Sequence, residues 1–421
     1  MEEIEKLTLL MHQNVCVQNK QYFAMNNVSN RLLALSESET LVMSQKSAEL
    51  KAQGVDVINL SVGEPDFATP NHIKEAAKEA IDNNFTFYTP AAGTLDLRKA
   101  VCAKLQRENG LSYQPDQIVC SNGAKQSICN AILALVNAGD EVIVPAPYWV
   151  SYPEMVKLAE GVPVVVSAGI EQDFKLSAQQ LEDAITPKTK AVIICSPSNP
   201  TGSVYSCDEL KALADVLAKH EQVYVISDEI YEHINYVGKH ESIAQFEELA
   251  DRMVIVNGVS KCYSMTGWRS GWMAAPKWLA KACTKLQGQY TSGPGSISQK
   301  AAQAAYEGSQ DEVEQMRQAF ERRKKLTFGL LQEIEGLEVN DPQGAFYLFP
   351  KCSAFFGKEY NGRVVKDSAD LAIYLLEEAH VACVAGGAFG APDNIRLSYA
   401  TSDENLVEAV KRIAAALGKL K

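Results

Sequence analysis

Short apolar runs alternate with amphipathic segments along the chain from about residue 115 onward. The runs are rich in valine and isoleucine and end in glycine, proline or polar residues, which is typical of buried β-strands. They read QIVCSNG, DEVIVPAP, VPVVVSA, KAVIICSPSNPTG, VYVISDEIYEHI and RMVIVNGVSKCY. Continuous apolar strands that alternate with helices predict a mostly parallel sheet covered on both faces. We therefore expect an α/β fold.

The segments between these runs have the spacing of amphipathic helices. AKQSICNAILALVNAG repeats apolar residues with a helical period and meets a stop signal at Gly139. SCDELKALADVLAKHEQ begins with Ser206 and Glu209 at the separation of a capping box. Residues 311–335 are highly charged and predict one long helix that ends at Gly336.

The pattern divides the chain into two domains and a short extension. Beyond the long helix, the sequence changes to shorter strands and helices of an α+β type. We assign residues 26–70 and 316–421 to a small α+β domain. Residues 71–315 form a large domain, whose mostly parallel sheet is expected to lie between layers of helices. Residues 1–25 are an N-terminal extension without the pattern of a secretion signal.

Composition narrows the class of protein. Of the 421 residues, 46% are hydrophobic and 22% charged, as in soluble globular proteins. The formal net charge of −12 disfavours binding to nucleic acid or anionic membranes, and no apolar run has the length of a membrane span. The ten cysteines are scattered, which favours reduced thiols and a cytoplasmic location. The six histidines, including His233 and His240, lack metal-binding spacing, so we expect no metal.

Polar and charged residues follow the predicted strands at their carboxyl ends, where open parallel sheets bind ligands. These residues are Asn122–Lys125, Asn199–Gly202, Asp228, Tyr231, Lys261 and Arg269. Each alone has an ordinary structural explanation, such as a turn, a helix N-cap or a solvated cation. Their common position at one edge favours a binding site over a series of unrelated structural roles.

This set of side chains has the chemistry that a phosphate-bearing aldehyde cofactor requires. A lysine amine forms a Schiff base with an aldehyde. A carboxylate keeps a pyridine nitrogen protonated, so that the ring accepts electrons. An amide and a phenol can hydrogen-bond a ring hydroxyl, while a helix N-terminus and an arginine bind phosphate. The conjunction of these groups is more specific than any one of them.

Further motifs extend over nearly the whole chain beyond residue 30. They read SVGEPDFATP, YTPAAGTLDLRKAV, NGAKQ, PAPYWVSYPEM, SPSNPTG, SDEIYEHI, SKCYSMTGWRSGW, GAFYLF and RLSYATS. With these motifs the chain resembles the class I aminotransferases of the fold-type I pyridoxal-phosphate family. It is most similar to the aspartate aminotransferase subgroup that includes bacterial and plant enzymes able to use prephenate.

The resemblance implies pyridoxal 5′-phosphate as cofactor and a role for each residue at the sheet edge. Lys261 matches the Schiff-base lysine that also moves the proton, and Asp228 matches the partner of the pyridine nitrogen. The other cofactor matches are Tyr231 and Asn199 at the ring hydroxyl, Trp149 on the ring face, Gly123, Ala124 and Arg269 at the phosphate, and Tyr88 at the neighbouring subunit's phosphate. Arg396 matches the clamp on the substrate α-carboxylate, and Gly63 matches a backbone contact to substrate.

The resemblance also concerns the distal end of the substrate. Lys125 and Thr40 match the residues that bind a second carboxylate in this subgroup, although Thr40 equally fits a helix N-cap. Three positions depart from the family pattern, one of which is Ala385, where relatives usually have a proline. Gly258 stands where many relatives have a phosphate-binding serine, and Ser36 stands where close relatives often have a lysine.

The expected function is ping-pong transamination, with L-aspartate and 2-oxoglutarate converted to oxaloacetate and L-glutamate. Prephenate or an aromatic amino acid is an alternative substrate. The fold also supports elimination and decarboxylation, and a regulator that senses a ligand without catalysis is a further alternative. The match at Tyr88 implies a homodimer with shared active sites, and amino acids and keto acids are the expected partners, with neither nucleic acid nor membrane.

Overall fold

The structure is a computed structural model that describes residues 28–37 and 39–421. The predicted extension, residues 1–25, lies outside the described residues. The strands are, in chain order, β1 (Ile58–Asn59), β2 (Ile118–Ser121), β3 (Glu141–Ala146), β4 (Val162–Ser167), β5 (Thr189–Cys195), β6 (Tyr224–Asp228), β7 (Met253–Gly258), β8 (Gly271–Ala274), β9 (Tyr347–Leu348), β10 (Glu359–Tyr360), β11 (Arg363–Val364), β12 (Val381–Ala382), β13 (Val384–Ala385) and β14 (Ile395–Ser398).

The α-helices include those predicted from the apolar spacing. They are α1 (Asn30–Leu33), α2 (Glu39–Ala52), α3 (Asn71–Asp82), α4 (Leu95–Lys104), α5 (Ala124–Leu135), α6 (Ser151–Leu158), α7 (Ala178–Ala184), α8 (Cys207–Ala218), α9 (Lys277–Tyr290), α10 (Ser296–Glu307), α11 (Asp311–Gln332), α12 (Ser368–Glu378) and α13 (Asp403–Leu417). The predicted capping box of α8 is present, with the Ser206 and Glu209 side chains each accepting the other's backbone N–H. Helix α5 ends before Gly139. Among the described residues, every helix is too short or too polar to span a bilayer.

Seven strands form the central sheet, in the order β2-β8-β7-β6-β5-β3-β4. The neighbours from β7 to β4 run parallel, which confirms the expected mostly parallel sheet. Strand β8 differs from this pattern because it pairs antiparallel with both β2 and β7. The apolar pattern did not predict β8, since four residues are too few for a periodic pattern.

Alternate residues of the central strands face two separate hydrophobic clusters. Val225 and Ile255 belong to one cluster, whereas Ile226 and Val256 belong to the other. Helices such as α4, α8 and α10 cover the first face, while α5 and α9 cover the second. Burial of each such side chain contributes about 1.5–3 kcal/mol, so the sheet is stabilised on both faces.

A third cluster lies around the three-stranded antiparallel sheet β13-β14-β9. Helix α11 connects this cluster with the first cluster on the central sheet. Its Val313 packs with the central sheet, and its Phe320 packs with the three-stranded sheet. The rings of Phe320 and Phe346 stack with centroids 5.2 Å apart. The domain boundaries at residues 70 and 316 stay a prediction.

Candidate active site

A cavity of about 310 Å³ lies at the carboxyl ends of the central strands. Thirteen residues were given a role by the family resemblance, and eleven of them line this cavity: Thr40, Gly63, Ala124, Lys125, Trp149, Asn199, Asp228, Tyr231, Lys261, Arg269 and Arg396. Gly123 lies directly behind this wall, against the Arg269 guanidinium. Tyr88 lies elsewhere. The cavity therefore combines cations, a carboxylate and hydrogen-bonding groups within reach of one ligand.

One end of the cavity is built as an anion cradle. Helix α5 begins at Ala124, where its first N–H groups are free of intrahelical partners. The Arg269 guanidinium is held beside this helix end by bonds to the carbonyl oxygens of Thr266, at 2.9 Å, and Asn122, at 3.2 Å. A Cβ on Gly123 would lie 2.3 Å from Arg269 Nη2, so the approach requires glycine at this position. The arrangement suits a phosphate group.

Asp228 ends strand β6 and is buried in the cavity wall. Its Oδ2 accepts a hydrogen bond from the Tyr152 hydroxyl at 2.6 Å, and its Oδ1 accepts the Ile230 N–H at 3.2 Å. Burial raises the pKa of Asp228 to about 6, although the Tyr152 bond lowers it. The carboxylate is thus fixed in orientation and suited to a cationic ligand group.

Lys261 follows strand β7 and extends into the cavity. Its Nζ donates a hydrogen bond to the Gly63 carbonyl at 2.7 Å. Burial lowers the pKa of this amine to about 8, with Glu64 opposing the shift and the cations Arg396 and Arg269 adding to it. A neutral amine is a nucleophile and a base, so this environment favours chemical use of the lysine.

Arg396 enters the cavity from strand β14 of the smaller sheet and is buried. Its guanidinium donates to Asn199 Oδ1 at 2.9 Å and to the Ser61 carbonyl at 2.6 Å. Its Nε has no hydrogen-bond partner among the described residues. No carboxylate in residues 28–37 and 39–421 forms a salt bridge with it, which favours binding of a carboxylate from a ligand.

Tyr347 is a cavity residue that the sequence analysis did not single out. Its hydroxyl lies 2.8 Å from that of Tyr231, and its ring lies 4.6 Å from the Arg396 guanidinium. A Cβ on Gly63 would lie 2.5 Å from the Tyr347 hydroxyl oxygen, which explains the glycine at position 63. The motif GAFYLF contained this residue, but its apolar neighbours indicated only a buried strand.

The cavity lining also includes the two residues expected at a distal carboxylate. Lys125 is exposed at the rim, with its Nζ 4.8 Å from the centroid of the Trp149 ring. Thr40 lies in the first turn of α2, which begins at Glu39, so its alternative interpretation as an N-cap is wrong. Ser36 lies outside the cavity lining, and its N–H bonds Glu154 at 2.8 Å.

The departure at Gly258 has a local explanation. Gly258 pairs with Gly271 where β7 and β8 approach closely. A Cβ at position 258 would lie 2.8 Å from the Gly271 Cα and 2.9 Å from the Ser270 carbonyl oxygen. A serine would therefore require the two strands to separate. Because Gly258 has no side chain, it cannot make the phosphate contact of the serine found in many relatives.

Two predicted features lie outside the cavity. Tyr88 is fully exposed beside the exposed Phe87 and is not among the residues that line the cavity. His233 and His240 pair with the carboxylates of Glu108 and Glu229, each at 3.0 Å. These groups come close enough to hold an ion. However, the Lys104 ammonium already lies among the carboxylates, and the expectation of no metal stays a prediction.

All nine cysteines in the described part of the chain are free.

Comparison with known proteins agrees with this geometry. The family model of aminotransferase class I and II matches residues 55–413. The chain belongs to this family. It is 52% identical over 399 residues to a probable aspartate/prephenate aminotransferase of Rickettsia bellii, with 94% of this chain and 100% of the relative covered. The enzyme is thus similar in sequence to aspartate aminotransferases over almost its full length.

Solved structures support the same assignment of fold. The aspartate aminotransferase of Rhizobium meliloti superposes with a TM-score of 0.91 at 44% identity, covering 94% of this chain and 100% of that one. The Thermus thermophilus aspartate aminotransferase with maleate gives a TM-score of 0.87 at 42% identity, covering 93% and 99%. The expected fold of the class I aminotransferases is therefore confirmed.

Proposed function

We propose that the protein transfers the amino group of L-aspartate to 2-oxoglutarate, with pyridoxal 5′-phosphate as its cofactor, in a ping-pong reaction. The products are oxaloacetate and L-glutamate. The observation that carries this proposal is the convergence of Lys261, Arg269 and Arg396 with one buried carboxylate, Asp228, in a single cavity. In the described residues none of the three cations has a salt-bridge partner, so each is available to a ligand.

The cavity residues fit pyridoxal 5′-phosphate. The cradle at Gly123, Ala124 and Arg269 is a space that a Cβ would fill, and it suits the phosphate. Asp228 would pair with the ring nitrogen and Lys261 would attach at the aldehyde. The remaining contacts are Tyr231 and Asn199 at the ring hydroxyl and Trp149 on the ring face. When bound, the cofactor would supply an aldehyde that joins the amino group and a ring that accepts electrons from the α-carbon.

The protein's own residues would bind the substrate and move its proton. Arg396 would hold the α-carboxylate through two N–H donors, and the Gly63 backbone would limit its position. This binding turns the α-C–H bond toward Lys261. The Nζ of Lys261 would act as the general base that takes the α-proton and holds it until it is returned. A pKa of about 8 suits an amine that must both accept and release a proton near neutral pH.

The distal end of the cavity supports a dicarboxylic substrate. Lys125 offers an ammonium and Thr40 a hydroxyl to the same cavity as Lys261. The Thermus thermophilus relative, 42% identical to this chain, was solved with maleate, which has two carboxylates. Aspartate and 2-oxoglutarate share that feature, so we assign Lys125 and Thr40 to the second carboxylate.

We infer that the protein works as a homodimer in the cytoplasm. Tyr88 matches the family's tyrosine that reaches the phosphate of the neighbouring subunit, and its full exposure leaves it available for that contact. The free cysteines support a reducing compartment. Residues 26–70 with 316–421 and residues 71–315 are kept as the proposed domains.

The proposed reaction is tested by following oxaloacetate when the purified protein is given L-aspartate and 2-oxoglutarate. Double-reciprocal plots at several 2-oxoglutarate concentrations should be parallel, as ping-pong kinetics require. The keto acid must be necessary for turnover. Consumption of aspartate without a keto acid would indicate elimination or decarboxylation, and binding of amino acids without turnover would indicate a ligand sensor.

A second candidate function is amination of prephenate. It is favoured by the Rickettsia bellii relative, which is named a probable aspartate/prephenate aminotransferase. The serine at position 36, where close relatives often have a lysine, counts against this second function. Replacing 2-oxoglutarate with prephenate in the same assay, with L-aspartate as donor, compares the two acceptors directly through their kcat/KM values.

A further inference from the structure

Tyr152 contacts the carboxylate on which the proposed cofactor chemistry depends. It lies in helix α6 and is 2% exposed. Its hydroxyl donates to Asp228 Oδ2 at 2.6 Å, while the Ile230 N–H bonds the other oxygen. Because each carboxylate oxygen has one fixed donor, the plane of the Asp228 side chain is set by these two contacts.

The same tyrosine also contacts the aromatic wall of the cavity. The Tyr152 and Trp149 rings meet edge to face, with centroids 5.4 Å apart and planes at 85°. Trp149 is the residue proposed to cover the cofactor ring. Tyr152 thus joins two groups that would contact the ring from different directions, and a change in its position would move both.

The surroundings of Asp228 explain why a donor is needed there. Strands β5 and β6 place Cys195 opposite Asp228, so a thiol is the nearest neighbour in the adjacent strand. Burial raises the pKa of the Cys195 thiol to about 12, which keeps this neighbour uncharged. Burial also raises the pKa of Tyr152, so its hydroxyl keeps the proton that it donates. Tyr152 is therefore a permanent donor beside a carboxyl whose ionised form is opposed by burial.

We propose that Tyr152 is a positioning residue, which acts through Asp228 to keep that carboxylate ionised and directed at the nitrogen of the cofactor ring. This inference rests on the proposed function, because it requires a cofactor with a basic ring nitrogen. A purely structural tyrosine would stabilise the fold without distinguishing one cofactor analogue from another.

The test compares two ligands on the cofactor-free protein: pyridoxal 5′-phosphate and its analogue with carbon in place of the ring nitrogen. Tyr152→Phe keeps the ring contact with Trp149 and removes only the hydroxyl. We expect its Kd for pyridoxal 5′-phosphate to rise about 10-fold or more, the typical value of a hydrogen bond to a charged group. Its Kd for the carbon analogue should stay within about 2-fold of the wild-type value, since that analogue does not use Asp228.

Two further variants keep the test decisive. Tyr374→Phe removes a buried hydroxyl that donates to the Ala416 carbonyl far from the cavity, and both its Kd values should equal those of the wild type. Tyr152→His keeps a ring and an N–H donor, so it should recover part of the lost affinity, and it serves if Tyr152→Phe does not fold.

The outcomes separate this inference from the proposed function. Wild-type affinity for pyridoxal 5′-phosphate in Tyr152→Phe, or equal losses for both ligands, would overturn the positioning role alone. Failure of the wild-type protein to bind pyridoxal 5′-phosphate would instead overturn the proposed function.

Discussion

Two lysines held within the protein have opposite surroundings. Lys104, 1% exposed, lies among carboxylates: it pairs closely with Glu232, and Glu108 lies 3.4 Å away. Burial alone would lower the pKa of Lys104, but these two carboxylates raise it. Within the described part of the chain, Lys261 donates only to the neutral carbonyl of Gly63, and burial lowers its pKa to about 8. One amine is held charged, and the other is free to become neutral.

The same contrast separates two buried arginines. Arg323 forms a two-pronged salt bridge with Asp66, at 2.7 and 2.9 Å. Arg396 bonds only an amide oxygen and a carbonyl oxygen among the residues that the structure describes. A buried charge with its partner present is structural, whereas a buried charge without one is suited to a ligand or to chemistry. This difference, more than burial itself, distinguishes the cavity from the rest of the interior.

The largest effect is expected at the unpaired lysine. Lys261→Ala removes both the nucleophile and the general base, so kcat for transamination should fall at least ~10⁴-fold. Borohydride reduction of the loaded wild-type protein, followed by peptide mass spectrometry, should find the cofactor on Lys261 and the variant should show no attachment. Measurable turnover by the variant at the wild-type rate would contradict the assignment.

The paired lysine should instead affect stability. Lys104→Met removes the cation that pairs with the buried Glu232, and breaking such a buried pair costs about 3–5 kcal/mol. Urea unfolding of the cofactor-free protein should show this loss as a lower midpoint. Lys277→Met is the matched control, because its ion pair with Asp116 is exposed and should contribute at most about 1 kcal/mol. Equal midpoints for the two variants would mean that Lys104 is not a structural charge.

The two arginines provide the next comparison. Arg396→Ala should lower kcat/KM for every amino acid substrate, by roughly 10-fold to 100-fold, because all share the α-carboxylate. Arg323→Ala should leave kcat/KM nearly unchanged and lower the melting temperature, since Asp66 loses its partner. Steady-state kinetics and thermal unfolding of both variants give the comparison. The distinction between paired and unpaired charges would be contradicted if Arg323→Ala lost activity and Arg396→Ala lost only thermal stability.

Lys125 is expected to have a smaller and selective effect. It is exposed at the rim, so its ammonium contributes less than a buried group. Lys125→Ala should reduce kcat/KM for L-aspartate by roughly 10-fold relative to L-alanine or L-phenylalanine. Equal losses for the three substrates would show that Lys125 does not recognise the distal carboxylate.

The local pattern of apolar residues was sufficient to predict the strands and to select the polar residues that follow them. Strands such as β6 and β7 are continuous apolar runs, and a parallel sheet places their carboxyl ends at one edge. The amino-acid sequence alone therefore predicted that Asp228 and Lys261 lie close together. Their roles, and that of Arg396 from a distant part of the chain, came from the family resemblance.

Contacts between distant segments could not be predicted in this way. Tyr347 reaches the cavity from the smaller sheet and meets Tyr231, although 116 positions separate them. Tyr152 belongs to an ordinary helical segment, and nothing local indicates that its hydroxyl bonds Asp228. Strand β8 was missed because its antiparallel pairing depends on β2 and β7 rather than on its own four residues.

The smallest expected effect is the pH dependence of cofactor attachment at Lys261, which tests the contrast with Lys104. Attachment of pyridoxal 5′-phosphate requires the neutral form of Lys261, and the lowered pKa means that this form appears as pH rises through about 8. The attachment rate of the cofactor-free protein should therefore rise about fivefold between pH 7 and 8, against nearly tenfold for an ordinary lysine, and level off above pH 9. Stopped-flow absorbance gives the rate. A rate that still rises about sevenfold between pH 9 and 10, as expected for an ordinary lysine, would contradict the lowered pKa of Lys261.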